Sequence, residues 1–174
     1  MIHRMNLNPT PDYRTSLQHL ADGKRGIAAT LSAMSSLVKA YKVNALVRRT
    51  ATDIVHSWPE KDYPGEVQAL QTWVRDNIRY TQDVNGVETL QTPDVLLDSR
   101  SGDCDDKSIL LASLLESIGH PTRFVALGYE PGVFVHVLVE VQVYNVWLPL
   151  ETTEPVEAGW YPGDMPYRMV KNNG

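Results

Sequence analysis

The only cysteine of the chain is placed where it could act as a nucleophile. Cys104 stands in the stretch SGDCDD, directly before the apolar run SILLASLLESIG. A thiolate is the reactive form of cysteine, and the N-terminus of a helix stabilises it. The neighbouring Asp103, Asp105 and Asp106 oppose this effect, because nearby negative charge raises the pKa of a thiol. A nucleophilic Cys104 therefore needs a positively charged partner, and histidine is the usual one.

Of the five histidines, His136 is the one in a predicted strand. His3 and His19 lie in an N-terminal extension, His56 ends a predicted helix, and His120 lies in the turn after the cysteine helix. In the stretch VFVHVLVEV the alternate valines define a core face, so His136 points to the other face of the strand. We therefore select His136 as the base.

The next strand supplies a carboxylate on the same face as His136. In VYNVWLPLE the apolar face alternates with a face that ends in Glu151. If the two strands form a hairpin with their apolar faces together, His136 and Glu151 must share the opposite face, because side chains alternate with a period of two. A loop at Val143 and Tyr144 would place them directly opposite, with Cβ atoms about 4.5–5.5 Å apart. The sequence thus predicts Cys104, His136 and Glu151 as nucleophile, base and orienting acid.

The elements that must position these residues are helices first and strands second. Helical spacing predicts helices in GIAATLSAMSSLVKAY, in NALVRRTATDIVHSW with Asn44 as the cap, and in EVQALQTWVRDNIRY. The stretch SWPEKDYPG reads as a helix breaker, and residues 81–102 as a long loop with a short turn near TPDVLLD. A fourth, mostly buried helix begins at Cys104 with Asp103 as its cap. Three antiparallel strands and a wrapping tail from Thr152 complete an α+β fold.

Composition narrows the class of protein. The chain has 174 residues, one cysteine and a net charge of −5. This length suits one domain, and a single cysteine excludes an internal disulfide. The mildly acidic net charge gives no indication of the basic surface that nucleic-acid binding needs, and no apolar stretch is long enough to span a membrane. The N-terminal MIHRMNLNPTPDYR lacks the apolar segment of a secretory signal. We expect a cytoplasmic protein that binds neither nucleic acid nor membrane.

The acidic residues around Cys104 admit a second interpretation, a metal site. Asp103, Asp105 and Asp106 do not follow the spacing of a calcium loop, and helix capping accounts for them. A zinc site of cysteines and histidines would need more ligands than one cysteine supplies. We therefore expect no metal and no cofactor.

The stretch NIRYTQDVNGVETLQTPDVLLDSRSGDCDDKSILLASLLESIGHPTRFVAL, followed by VFVHVLVEV and VWLPLETT, resembles the transglutaminase-like superfamily of papain-like cysteine enzymes. The resemblance covers Trp73 to Thr153 and implies a Cys-His-Asp triad, here Cys104, His136 and Glu151, with Glu151 where the family usually has aspartate. It implies a papain-like core, a buried helix with an N-terminal cysteine packed on an antiparallel sheet, in residues 63–174. We expect residues 1–62 to form an N-terminal helical extension. Within it, the stretch DGKRGIAATLSAMSSLVKAYKVNALVRRTATDIV resembles the N-terminal helical part of transglutaminase-like proteins encoded in bacteriophages and prophages.

The resemblance implies acyl transfer through a thioester on a protein or peptide substrate. Hydrolysis is favoured over cross-linking, because no feature supplies an amine site and water needs none. The Cys104 N–H should form part of an oxyanion hole. Tyr80 and Gln91 are candidates for the second donor, and each has a structural alternative. The rival interpretation is a non-catalytic binding or assembly module on the same fold, such as a phage morphogenesis factor, with a phage structural protein as partner.

Overall fold

The computed structural model describes residues 15–16, 24–82 and 89–174. His3, His19 and the middle of the predicted loop, residues 83–88, lie outside this range, as does most of the start of the predicted extension. The helices are α1 (Lys24–Tyr41), α2 (Ala45–Val55), α3 (Tyr63–Asn77), α4 (Pro93–Ser99) and α5 (Cys104–Ser117). The strands are β1 (Thr15–Ser16), β2 (Arg79–Tyr80), β3 (Thr89–Leu90), β4 (Ser101–Gly102), β5 (Thr122–Gly128), β6 (His136–Val143), β7 (Val146–Leu150) and β8 (Tyr167–Asn172).

The cysteine helix α5 lies at the centre of the fold. Asp103 caps it, since its side chain accepts hydrogen bonds from the N–H groups of Asp105 and Asp106. Its apolar residues are buried on nearly every side, as the width of the apolar pattern predicts. Helices α1, α2, α3 and α4 pack against it, and β5 and β6 cover its remaining side. The predicted start of α5 at Cys104 and its cap are confirmed.

The main sheet has four antiparallel strands in the order β7-β6-β5-β8. The three predicted strands form its meander, and the predicted α+β class with a helix on an antiparallel sheet is confirmed. The wrapping tail was predicted without a strand, but its end pairs with β5 as β8. Before that strand, Tyr161 and Met165 of the tail cover the small apolar cluster of Val125, Leu127 and Leu138 on the face away from the main core.

Two sequence interpretations around α3 are wrong. The predicted breaker SWPEKDYPG does separate α2 from α3, but its last three residues already belong to α3. Asp62 accepts a hydrogen bond from the Gly65 N–H, and Pro64 occupies the first turn, where a missing N–H costs nothing. The helix ends at Asn77, so Tyr80 does not end a helix but lies in β2, which pairs in parallel with β4. The predicted turn at TPDVLLD is the short helix α4.

The hairpin between β6 and β7 turns one residue later than predicted. Val143 pairs with Val146, so the two loop residues are Tyr144 and Asn145. Both have positive φ, 47° and 66°. A two-residue hairpin of this type needs left-handed backbone at both loop positions, and asparagine tolerates it far better than the β-branched Val143. The shift by one loop residue moves the register by two and therefore keeps every side chain on its predicted face.

Among the described residues, no helix is long and apolar enough to cross a membrane.

Candidate active site

The start of α5 brings Cys104 against the start of β6. The backbone N–H of Val137, the residue that follows His136, lies close enough to the Cys104 sulphur to lower the pKa of the thiol. The thiol itself lies 3.6 Å from Asp105 Oδ1, to which it donates. Further along α5, the Ser108 hydroxyl donates to the Val137 carbonyl at 3.3 Å. The start of α5 and the start of β6 therefore meet at Val137.

His136 and Glu151 form a short, shielded pair. The Nε2 atom of His136 lies 2.6 Å from Glu151 Oε2. Only 2% of the Glu151 side chain and 14% of the His136 side chain are exposed. The contact leaves Nδ1 as the ring nitrogen available to the thiol. The structure thus brings together the three residues predicted as a triad, although His136 forms no hydrogen bond with Cys104 among the described residues.

The register of the hairpin explains why a glutamate reaches His136. Val139 is the partner of Leu150, so an extension of the ladder would place Glu151 opposite Leu138. Glu151 is therefore diagonal to His136 and not directly opposite it as predicted. Diagonal neighbours on one face are about 7–8 Å apart. The long arm of a glutamate spans this offset, and the shared face that the alternation predicts is observed.

Glu151 is held by its own segment and by α3. Its Oε1 accepts from the Thr153 N–H at 2.6 Å and from the Thr153 hydroxyl at 2.7 Å. The fully buried Gln71 donates to the Glu151 carbonyl at 2.7 Å and to the Val156 carbonyl at 3.2 Å. Burial by itself raises the pKa of Glu151, but the hydrogen bond and charge of His136 and the bonds from Thr153 hold that pKa below its ordinary value. The carboxylate is thus charged and fixed in place.

The surroundings of Cys104 favour the neutral thiol, whereas those of Glu151 favour the charged carboxylate. Burial raises the pKa of Cys104 far above its ordinary range, and the charges of Asp105 and Asp103 raise it further, against the lowering effect of the Val137 N–H. The predicted opposition between the aspartates and the helix N-terminus is therefore present, with burial as the larger cause.

The two oxyanion candidates have different surroundings. Tyr80 is half exposed, and its pKa is raised first by burial and then by the charges of Cys104, Asp103 and Asp105, so its hydroxyl lies within electrostatic reach of the thiol. The amide of Gln91 is engaged elsewhere, since it donates to Asp106 Oδ2 at 2.7 Å and to the Ser101 carbonyl at 3.0 Å. Both N–H bonds of that amide are thereby used, so Gln91 has a structural role here, as its alternative interpretation predicts.

Buried polar residues that the sequence interpretation missed support this site from behind. Asp106 is 1% exposed, accepts two hydrogen bonds from Gln91, and has a pKa raised to about 7, first by burial and then by Asp103. Lys107 is 2% exposed and donates from Nζ to the Ile78 carbonyl at 2.8 Å. Burial lowers the pKa of Lys107 to about 8.

One signal in the sequence could have found Gln71. It lies on the same helical face as Val67, Leu70 and Val74, where a polar residue needs a buried partner. No comparable signal in the sequence marks Lys107. It lies in α5, and its ammonium group donates to backbone carbonyls at the C-terminal end of α3.

A groove of about 770 Å³ adjoins the site. Its lining includes Tyr80, which lies within electrostatic reach of the thiol, and Thr153, which holds Glu151. Within the part of the chain that the structure describes, no group of three or more histidine, cysteine, aspartate or glutamate side chains is arranged to hold a metal ion.

Comparison with known proteins agrees with this geometry. The family model of the transglutaminase-like superfamily matches residues 48–152, which include all three triad candidates. A comparison with curated proteins finds no relative.

Solved structures share the fold at low identity. A candidate protease from Parabacteroides distasonis matches with a TM-score of 0.60 and 16% identity, over 83% of this chain and 29% of that protein. A candidate cysteine protease from Cytophaga hutchinsonii matches with a TM-score of 0.53 and 17% identity, over 80% of this chain and 51% of that protein. Calcium-bound LapG of Legionella pneumophila gives a TM-score of 0.50 and 16% identity, over 73% and 75%. This chain therefore spans less than a third of the first protein and about half of the second.

A buried helix with an N-terminal cysteine, packed on an antiparallel sheet that carries a histidine, defines the papain-like class of fold. Within that class, the chain belongs to the transglutaminase-like superfamily, because the family model covers more than half of it.

Proposed function

We propose that this protein is a cysteine-dependent acyl-transfer enzyme that acts on peptide or side-chain amides, and that it hydrolyses them. The observation that carries the proposal is the 2.6 Å contact between His136 Nε2 and a buried, charged Glu151, next to a helix that starts with the only cysteine. An imidazole fixed in this way presents Nδ1 as a base. Membership of the superfamily and its protease-like neighbours support the same chemistry.

The proposed reaction has two halves. His136 Nδ1 takes the thiol proton while Cys104 Sγ bonds to the amide carbonyl carbon, and Glu151 stabilises the imidazolium. The imidazolium then protonates the leaving amine as the C–N bond breaks, which leaves a thioester. Water, deprotonated by the imidazole, attacks the thioester, and the products are a carboxylic acid and the free thiol. Asp103 caps the N–H groups of Asp105 and Asp106, so the Cys104 N–H is left for the oxyanion, with the Tyr80 hydroxyl as the second donor.

The test uses a complex mixture of peptides with blocked amines, because the substrate is unidentified. The wild-type protein should create new N-termini, detected by mass spectrometry, and the Cys104→Ala variant should create none. Addition of a primary amine distinguishes the two fates of the thioester. Incorporation of that amine in place of water would show cross-linking chemistry, and identical product lists for wild type and Cys104→Ala would refute an enzyme.

A non-catalytic binding module is the second candidate, and one observation favours it. The thiol pKa is raised, and the thiol forms no hydrogen bond with the imidazole among the described residues. Stoichiometric labelling with iodoacetamide near neutral pH discriminates the two, and with a single cysteine the mass shift has only one source. Fast labelling supports the enzyme, whereas a sluggish thiol with an ordinary response to pH supports the module.

We further propose that the protein belongs to a bacteriophage or prophage and acts on a phage structural protein in the host cytoplasm. The support is the similarity of the α1–α2 sequence to phage-encoded relatives. The neighbouring genes test this directly, because a cluster of capsid or tail genes is expected and a metabolic operon would contradict it.

A further inference from the structure

Within the described part of the chain, two cations of the groove beside the triad form no ion pair with a carboxylate. Four basic side chains line it, but two are already engaged. Arg75 pairs with Asp76 at 2.7 Å, and the Lys107 ammonium donates to a backbone carbonyl. Arg79 and Arg100 remain, and among the described residues neither forms an ion pair or a side-chain hydrogen bond. The chain has a net charge of −5, so two adjacent guanidinium groups without an ion-pair partner make this part of the surface positive where the protein as a whole is negative.

The backbone holds these two arginines side by side. The Arg79 N–H donates to the Arg100 carbonyl at 2.9 Å, where β2 meets the end of α4. Arg100 has left-handed backbone, with φ of 56°, and its N–H donates to the Leu96 carbonyl. Its guanidinium stacks 4.9 Å from the centroid of the Trp73 ring. The pair is therefore anchored at the backbone, one residue away from Tyr80, while both side chains stay exposed.

We propose that Arg79 and Arg100 form a subsite for an acidic side chain of the substrate, close in sequence to the amide that Cys104 attacks. This inference rests on the proposed function, in so far as the substrate is a peptide. Guanidinium groups bind carboxylates through paired, charge-assisted hydrogen bonds. The lining also contains Asp76 and the exposed Glu154. These acids disfavour a polyanion such as nucleic acid, so the charge pattern fits a single carboxylate on an otherwise neutral peptide.

The test measures binding without turnover. Short labelled peptides of glycine, alanine and serine carry either one central glutamate or one central glutamine, and they are titrated by fluorescence anisotropy against the full chain with Cys104→Ala. At low salt the glutamate peptide should bind roughly fivefold to tenfold more tightly, which is the range for partly exposed charge-assisted contacts. Physiological salt should narrow this ratio. Equal affinities, or no binding of the glutamate peptide at millimolar concentration, overturn the proposal.

Variants locate the preference. Arg79→Gln with Arg100→Gln should remove it, whereas Arg48→Gln with Arg49→Gln should not, because those arginines are exposed on α2 outside the groove. Arg79→Glu with Arg100→Glu should reverse the preference toward a peptide with one central lysine. This gain of binding cannot result from misfolding. A preference that survives both groove variants overturns the proposal.

Two outcomes separate the subsite from the proposed reaction. If the glutamate peptide is preferred but wild type cleaves nothing, the subsite stands and hydrolysis falls. If wild type cleaves peptides without an acidic preference, hydrolysis stands and the subsite falls. Tighter binding of a single-stranded oligonucleotide than of the glutamate peptide, sensitive to the same variants, would also overturn the subsite.

Discussion

Replacement of Glu151 by glutamine removes one charge and keeps the size of the side chain, and its effect can be worked out from the contacts. Oε1 accepts two hydrogen bonds from Thr153, and Oε2 faces His136 Nε2. A glutamine must keep its oxygen on the Thr153 side, because both Thr153 groups are donors. Its NH₂ group then points at His136. The imidazole must accept there with Nε2 and carry its proton on Nδ1, which leaves no base for Cys104.

We therefore expect turnover to fall by about 10³–10⁴-fold in Glu151→Gln, as when a triad acid is neutralised into the wrong tautomer. Glu151→Asp keeps the charge but is one methylene shorter, and the diagonal register gives it a longer gap to span. Its turnover should be measurable and lie between those of wild type and Glu151→Gln. If no substrate is known, the rate of thiol alkylation gives the same ranking.

The matched control is Glu154→Gln, an exposed carboxylate three residues further along the same segment. It should leave the alkylation rate unchanged. Circular dichroism and thermal melts check that each variant is folded. Turnover of Glu151→Gln within a few-fold of wild type would refute the reasoning, because Glu151 would then be only a structural carboxylate at the end of a strand.

Three further predictions concern the thiol, the oxyanion and the pH dependence of stability. Alkylation of Cys104 at neutral pH should slow in His136→Ala, because this variant loses the imidazolium charge that would stabilise the thiolate. It should speed up about two- to threefold in Asp105→Asn, because loss of a nearby negative charge lowers the thiol pKa. Unchanged rates in both variants would contradict the electrostatic account. Tyr80→Phe should lower kcat by about tenfold to a hundredfold with little change in KM if the hydroxyl stabilises the oxyanion, and a change in KM alone would assign Tyr80 to substrate binding. The pKa of Asp106 in the folded protein, about 7, lies above its unfolded value, so protonation of Asp106 favours folding. The free energy of unfolding should therefore fall by about 2–4 kcal/mol as the pH rises from 4 through 7. Denaturant titrations should show a smaller decline in Asp106→Asn, and an equal decline would assign the pH dependence to other groups.

Local patterns were sufficient for much of the architecture. The caps at Asn44 and Asp103 are where the sequence predicts them, because a capping side chain bonds N–H groups only two or three residues ahead. The start of α5 at Cys104 and the antiparallel meander follow in the same way from the spacing of apolar residues and from the residues that end each helix or strand. The helix α3 starts earlier than the sequence predicts although its cap is also local, because Pro64, which is typical of a helix breaker, here occupies the first turn.

The alternation of side chains placed His136 and Glu151 on one face without any knowledge of the register. A hairpin loop at Val143 and Tyr144 was nevertheless the wrong choice, and left-handed backbone at Tyr144 and Asn145 gives the reason. The error preserved the shared face because the register moved by two residues. It changed a direct pair into a diagonal one, which is why the length of the glutamate arm matters.

What the sequence by itself determined is therefore the identity and order of the candidate residues and the face that each occupies, since these depend on neighbours within a few positions. Only the tertiary structure decided that Gln71 anchors the Glu151 carbonyl, that the Gln91 amide is engaged by Asp106, and that Lys107 closes the end of α3. These contacts join residues 15 to 80 positions apart. The burial that raises the thiol pKa is decided at the same level, because desolvation depends on every element packed around α5, and no short stretch of sequence contains that information.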